Sequence, residues 1–236
     1  MIDKANFSFA VSWLYPTADR ELLQVWSDHV VWLFIFDDIL EETESIEKFE
    51  DFSKEAINIA KRFPRKLDNN SPANDQFKLK RFVEYFEHYL KGCRKERLFR
   101  QSGRMPSIKE YSDYRYASVG MFNYLLGTEF VQNTINETVE HSKIQRLLEI
   151  TVLHFFRIND LFSLGKDKQQ GLPNYVIVIQ NEKKISEEQA VEIVLAEIEQ
   201  LTAEFKSIYS EIKQENNSNM NDYCEGMIEF MIGNIE

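Results

Sequence analysis

An all-α chain is what this sequence predicts, and three observations predict it. Only 8 Gly and 5 Pro interrupt 236 residues, too few to punctuate a fold of many short strands. Apolar side chains recur at three- and four-residue intervals over long stretches, the period of a helix with one buried face. Ser-x-x-Glu and Ser-x-x-Gln patterns stand ahead of such stretches, where they satisfy the free N–H groups of a helix start. The length suffices for one substantial domain with a sizeable core or an enclosed pocket. No internal repeat, low-complexity segment or defensible boundary divides it.

Residues 19–41 form a helix, with Asp19 as N-cap behind Pro16. Residues 45–62 follow, with Ile46, Phe49, Phe52, Ile57 and Ile59 on helical spacing. The polar stretch PRKLDNNSPAND (64–75) breaks the pattern, which resumes over 76–100 with Phe82, Phe86, Leu90 and Cys93. RQSGRMPS (100–107) is a loop whose Ser107 starts the next helix with Glu110 as its capping-box partner. Residues 108–130 and 141–167 make two long helices, the second ended by Gly171 and Pro173. NYVIVIQ (174–180) is β-branched, but a lone strand has nothing to pair with, so it reads as a buried helix. Residues 186–213 are helical behind a Ser186/Gln189 capping box; QENNSN (214–219) is a loop, and 220–234 the last helix.

A net charge of −11 repels nucleic acid phosphates and anionic lipid headgroups, so neither partner is expected. A small polyanionic substrate meets the same repulsion unless bound metal ions reverse it locally. Cys93 and Cys224 are too few for a disulfide scaffold and read as reduced thiols of a cytoplasmic protein. The start MIDKANFSFA lacks the form of a secretory signal. The longest apolar run, VVWLFIF (30–36), falls far short of the ~20 residues that span a bilayer, so no membrane insertion is expected.

That run ends in FIFDDILEE (34–42), which sets carboxylates at the edge of the most hydrophobic segment. On a helix Asp37 and Glu41 stack on one face, about 6 Å apart along the axis, with Leu33 and Phe34 one turn before. Hard oxygens at this spacing suit Mg²⁺. Alone, the pattern is more often a solvated helix end, since ETESIE (42–47) continues acidic. A second segment, HFFRINDLFSLGKD (154–167), changes the balance. Asn159, Ser163 and Asp167 fall along one helical stripe about 12 Å long, again behind aromatic residues, Phe155 and Phe156. An amide oxygen, a hydroxyl and a carboxylate in line form another hard-oxygen site.

Asp37-Asp38-x-x-Glu41 together with Asn159-Asp160-x-x-Ser163-x-x-Lys166-Asp167 resembles the two metal motifs of class I terpene synthases of the microbial type. Asp167 stands where that family usually has Glu, a variant it tolerates. The resemblance spans the chain and implies a single-domain antiparallel helical bundle around a central cavity. It implies three Mg²⁺ ions (Mn²⁺ as an alternative) held by Asp37, Asn159, Ser163 and Asp167, with Asp38 and Glu41 in support. Arg115, in EYSDYRYASVG, and Lys166 match residues that contact diphosphate. By the same analogy Ser118 and Val119 lie at a helix break linking Arg115 to the cavity, and Leu33, Phe34, Phe155 and Phe156 line it.

The activity so implied is metal-dependent ionisation of a prenyl diphosphate, by default farnesyl diphosphate, then carbocation cyclisation to a terpene with release of diphosphate. A homodimer is an open assembly. Family members run longer, with helices ahead of the position of Met1 and an Arg-Tyr pair after a segment like MIGNIE. Residues 1–236 therefore read as a catalytic domain shortened at both ends. Two rivals remain. A chain-elongating prenyltransferase typically carries two Asp-rich motifs, whereas this chain has one. A non-catalytic bundle using its acids for interaction or solubility would not need its two polar stripes to share a cavity. His88, His141 and His154 are lone histidines with no partner at ligand spacing.

Overall fold

The computed structural model describes residues 7–43, 45–61 and 73–233, and among them it contains eleven helices and no strand. Four precede the loop at 103–107: α1 (Phe7–Leu14), α2 (Arg20–Glu42), α3 (Ile46–Ala60) and α4 (Ala73–Ser102). Then come α5 (Ile108–Ser118), α6 (Met121–Val131), α7 (Asn136–Glu140) and α8 (Ser142–Gln170). The chain closes with α9 (Tyr175–Lys183), α10 (Glu187–Gln214) and α11 (Ser218–Gly233). None of the described helices is long and apolar enough to cross a membrane.

The helix starts follow the capping chemistry in the sequence. Asp19 accepts from Leu22 N, and Ser107 and Ser186 form reciprocal capping boxes with Glu110 and Gln189. The β-branched segment after Asn174 is a helix, as its isolation requires, and Asn174 caps it by accepting from Val176 N. Two short helices, α1 and α7, go beyond the expected pattern. At five residues α7 shows no usable period, and α1 begins beside residues outside the described set. Most of the 64–75 break likewise lies outside the described residues.

The expected continuous helix over 108–130 is in fact two. Val119 ends α5, and Gly120 opens α6 with φ of +71°, a left-handed conformation that a side chain disfavours. Ser118 and Val119 thus sit at a genuine break. On its near side α4 and α5 pack tightly because Gly92 lacks a side chain. A Cβ there would stand 2.4 Å from Ser118 N and 2.7 Å from Ala117 Cβ.

Three apolar clusters hold the helices. Val11, Trp26, Leu125, Ile144, Leu147, Phe205, Tyr223 and Met227 join α1, α2, α6, α8, α10 and α11. Leu33, Phe36, Leu40, Phe49, Val83 and Phe86 join α2, α3 and α4. Tyr111, Tyr114, Phe156, Tyr175, Val178 and Val194 join α5, α8, α9 and α10. The central α6 touches α2, α4, α8 and α11.

Two of the residues expected to line a cavity are core instead. Phe156 is fully buried, its ring edge-on to Tyr175 at 5.6 Å, and Leu33 is buried in the α2–α3–α4 cluster. One residue is a 100° turn of the helix, so their neighbours Phe155 and Phe34 point elsewhere. Phe155 is half-buried against Phe230, and Phe34 is 49% exposed.

Candidate active site

The second polar stripe runs along α8 as the spacing requires. Asn159 is exposed, while Ser163 and Asp167 are half-buried. Ser163 Oγ donates to Asp167 Oδ2 at 2.6 Å. Asn174, in the turn after α8, donates from Nδ2 to the same Asp167 oxygen at 2.8 Å and to the Asp160 carbonyl at 2.7 Å. That turn is closed by Gly171 in the left-handed conformation. Asn174 is fully buried, so its geometry is rigid, and it fixes the far end of the stripe. Lys166 is exposed on the same helix.

Arg115, near the end of α5, meets the near end of the stripe. Its Nη2 donates to Asn159 Oδ1 at 2.7 Å and to Asp160 Oδ1 at 2.9 Å, and its Nε donates to Asp160 at 3.1 Å. Asp160 is 1% exposed and fully engaged: Tyr111 Oη donates to it at 2.6 Å and the Tyr175 amide at 3.0 Å. Burial alone would lower the pKa of Arg115, but Asp160, Tyr111 and Glu96 outweigh it and hold the guanidinium protonated. Among the described residues these contacts engage Nε and Nη2 of Arg115, and the two N–H donors of Nη1 are the ones left to face a ligand.

Asp37 and Asp38 are exposed in the last turns of α2, and the side chain of Glu41 lies outside the described residues. Tyr89, on α4, donates its hydroxyl to Asp37 Oδ1 at 2.5 Å. Further along α4, Arg97 donates to the carbonyls of Leu40 and Thr43, which closes the helix carrying the acids. Between them lies Cys93. Its thiol is pushed well above the ordinary value by burial, then by Glu96 and Asp37, while Arg115 pulls it down. Tyr89 and Arg97 hold the acidic end of α2 on α4, and α4 packs along α5, the helix that carries Arg115.

Among the described residues, no three His, Cys, Asp or Glu side chains gather tightly enough to hold a metal ion by themselves. The donors at this end of the molecule are of another kind: amide, hydroxyl and carboxylate oxygens on rigid helices. Such an oxygen set fits a hard divalent cation that retains part of its water shell.

The sequence alone assigns no role to Asp160, Asn174 or Tyr89. Asp160 stands inside the motif but shares no helical face with Asn159, so its role as anchor of Arg115 depends on α5 and α9 packing beside it. Asn174 reads as an N-cap only once α9 is recognised as a helix.

The family model for terpene synthase family 2, C-terminal metal binding, matches residues 28–204. The chain is 27% identical to germacrene A synthase from Nostoc punctiforme, across 99% of this chain and 79% of that protein. It is 30% identical to (+)-T-muurolol synthase from Roseiflexus castenholzii, across 77% of this chain and 61% of that protein. The crystal structure of linalool/nerolidol synthase from Streptomyces clavuligerus superposes with a TM-score of 0.83. That match is 17% identical and covers 97% of this chain and 84% of the other. The matched segment contains both polar stripes and Arg115, and the fold agrees throughout: the chain belongs to the terpene synthase family, with the all-α fold of its class I members.

Proposed function

We propose that this terpene synthase ionises a prenyl diphosphate, with the C15 farnesyl diphosphate as its substrate, and cyclises the resulting cation. The observation that carries the reading is the contact between Arg115 and Asn159. It joins an always-charged phosphate-binding group to the first donor of an oxygen stripe. The Roseiflexus relative is named for cyclising (2E,6E)-farnesyl diphosphate, which supports the C15 choice.

Asn159, Ser163 and Asp167 on α8, and Asp37 on α2 supported by Asp38 and Glu41, would hold Mg²⁺. Bound divalent cations neutralise the diphosphate and make it a leaving group. Arg115, kept protonated by Asp160, offers its Nη1 donors to the diphosphate oxygens, and exposed Lys166 adds a second positive charge. The allylic C–O bond breaks, its electron pair leaving with diphosphate, and a carbocation remains. It cyclises and ends as a hydrocarbon by losing a proton, or as an alcohol by adding water and losing a proton. Phe34 and Phe155 present ring faces worth ~0.5–2 kcal/mol each to a desolvated cation, and no nucleophile. Ser118 and Val119, at the break after Arg115, couple the diphosphate end to the apolar interior.

Incubation with C10, C15 and C20 prenyl diphosphates and Mg²⁺, read by gas chromatography and diphosphate release, tests the proposal. A cyclic C15 hydrocarbon or alcohol is the expected product. Metal-independent turnover, a lengthened prenyl diphosphate, or no diphosphate release from any of the three would overturn it.

A further inference from the structure

We propose that Tyr89 is a positioning residue, which fixes the Asp37 carboxylate for a divalent cation and registers it against the α5–α6 break. The inference rests on the reading of Asp37 as a ligand given above, and takes it further. Tyr89 is 5% exposed on α4, yet its hydroxyl reaches out to Asp37 Oδ1 at 2.5 Å. Its ring lies against Gly120, the left-handed residue that opens α6: a Cβ on Gly120 would be 3.4 Å from Tyr89 Cδ2. One side chain therefore touches both the acidic end of α2 and the break that follows Arg115.

The surroundings make this contact rigid. Phe86 packs against the Tyr89 ring at 6.2 Å, and Cys93 follows one turn later on the same face. Two turns on, Arg97 binds the Leu40 and Thr43 carbonyls, so α4 grips the last turns of α2 at two points. A carboxylate free to sample rotamers would have to be ordered when a cation binds. A hydrogen bond from a buried donor removes that freedom beforehand. The hydroxyl of the buried Tyr89 is directed at the carboxylate oxygen, so it acts as the donor of this contact. A carboxylate has roughly four lone-pair sites, so accepting from Tyr89 does not exhaust its capacity for a cation.

The test compares Tyr89→Phe with the parent protein, with Asp37→Asn, and with Tyr209→Phe as a surface hydroxyl control. Mn²⁺ binding is followed by electron paramagnetic resonance, and the rise in Tm with Mg²⁺ and inorganic diphosphate by thermal unfolding. The phenylalanine keeps the ring on Gly120, so the metal-free Tm should stay near the parent value. Its Mn²⁺ affinity should fall about tenfold, the usual loss when an outer partner of a ligand is removed, with a smaller Mg²⁺-dependent rise in Tm. Parent-like metal binding in Tyr89→Phe, with binding reduced in Asp37→Asn, would overturn the positioning role and leave Asp37 as a ligand. Parent-like binding in Asp37→Asn would remove Asp37 from the metal site and this proposal with it. A Tyr89→Phe protein that no longer folds would assign the hydroxyl to stability and overturn the proposal as well.

Discussion

Arg115 and Asn159 are joined by a 2.7 Å hydrogen bond, and the same guanidinium nitrogen reaches Asp160 at 2.9 Å. The arginine that would meet diphosphate is thus braced by a carboxylate that never leaves the core. Arg115→Ala should abolish Mg²⁺-dependent diphosphate release. Because Asp160 is buried, removing its partner should also cost about 3 kcal/mol of stability, moderated by the donors Tyr111 and Tyr175. Denaturant unfolding and a diphosphate-release assay check both parts. An alanine variant as stable as the parent would mean that Asp160 does not depend on Arg115.

Within the α8 stripe the donors are interlocked, since Asp167 accepts from both Ser163 and Asn174. Asn159→Ala and Asp167→Ala should each lower turnover by at least about a hundredfold, the upper range for losing ligand-site partners. Added Mg²⁺ should recover part of it. Asn174→Ala should lower the Tm through the lost α9 cap, worth about 1 kcal/mol, and raise the half-saturating Mg²⁺ by releasing Asp167. Mg²⁺ titrations of the three variants distinguish these effects.

Gly92 is where α4 admits the end of α5. A methyl group there would meet Ser118 backbone nitrogen at 2.4 Å, which cannot rotate away. Gly92→Ala should therefore cost about 1–3 kcal/mol by overpacking and shift Ser118 and Val119. If that break shapes the cavity, the ratio of products will change along with the rate. An unchanged ratio from a folded variant would separate the break from product control.

Acid should destabilise the protein before its carboxylates titrate. Burial depresses His29 and His154 to about 4, His154 being helped down by Arg157, against an ordinary 6.5. A histidine depressed in the folded state binds protons more readily when unfolded. Its contribution is complete above pH 6.5 and is lost as pH falls towards 4. The Tm should therefore drop between pH 6.5 and about 4, and the drop should shrink in His154→Gln. A flat Tm across that window would place both imidazoles in contact with water.

Much of the fold was legible because helix signals are local. The Asp19, Ser107 and Ser186 caps, the Gly171 stop and the helical reading of NYVIVIQ need only nearby residues. The break at Gly120 left no mark in the apolar period of residues 108–130, and only the family resemblance pointed to it. For a related reason, spacing does not say which aromatic neighbours of the two motifs are buried. Adjacent residues such as Phe155 and Phe156 differ by 100° in direction, and only the packing of α9 and α11 decides which one is buried.

The sequence by itself determined the helix count's main members, the two oxygen stripes and the family resemblance they carry, because each depends on spacing along one helix. Tertiary structure alone decided that Asp160 anchors Arg115, that Asn174 braces Asp167, and that Tyr89 joins Asp37 to the Gly120 break. Those contacts link residues on different helices, where directional hydrogen bonds of about 3 Å depend on how helix faces pack rather than on local periodicity.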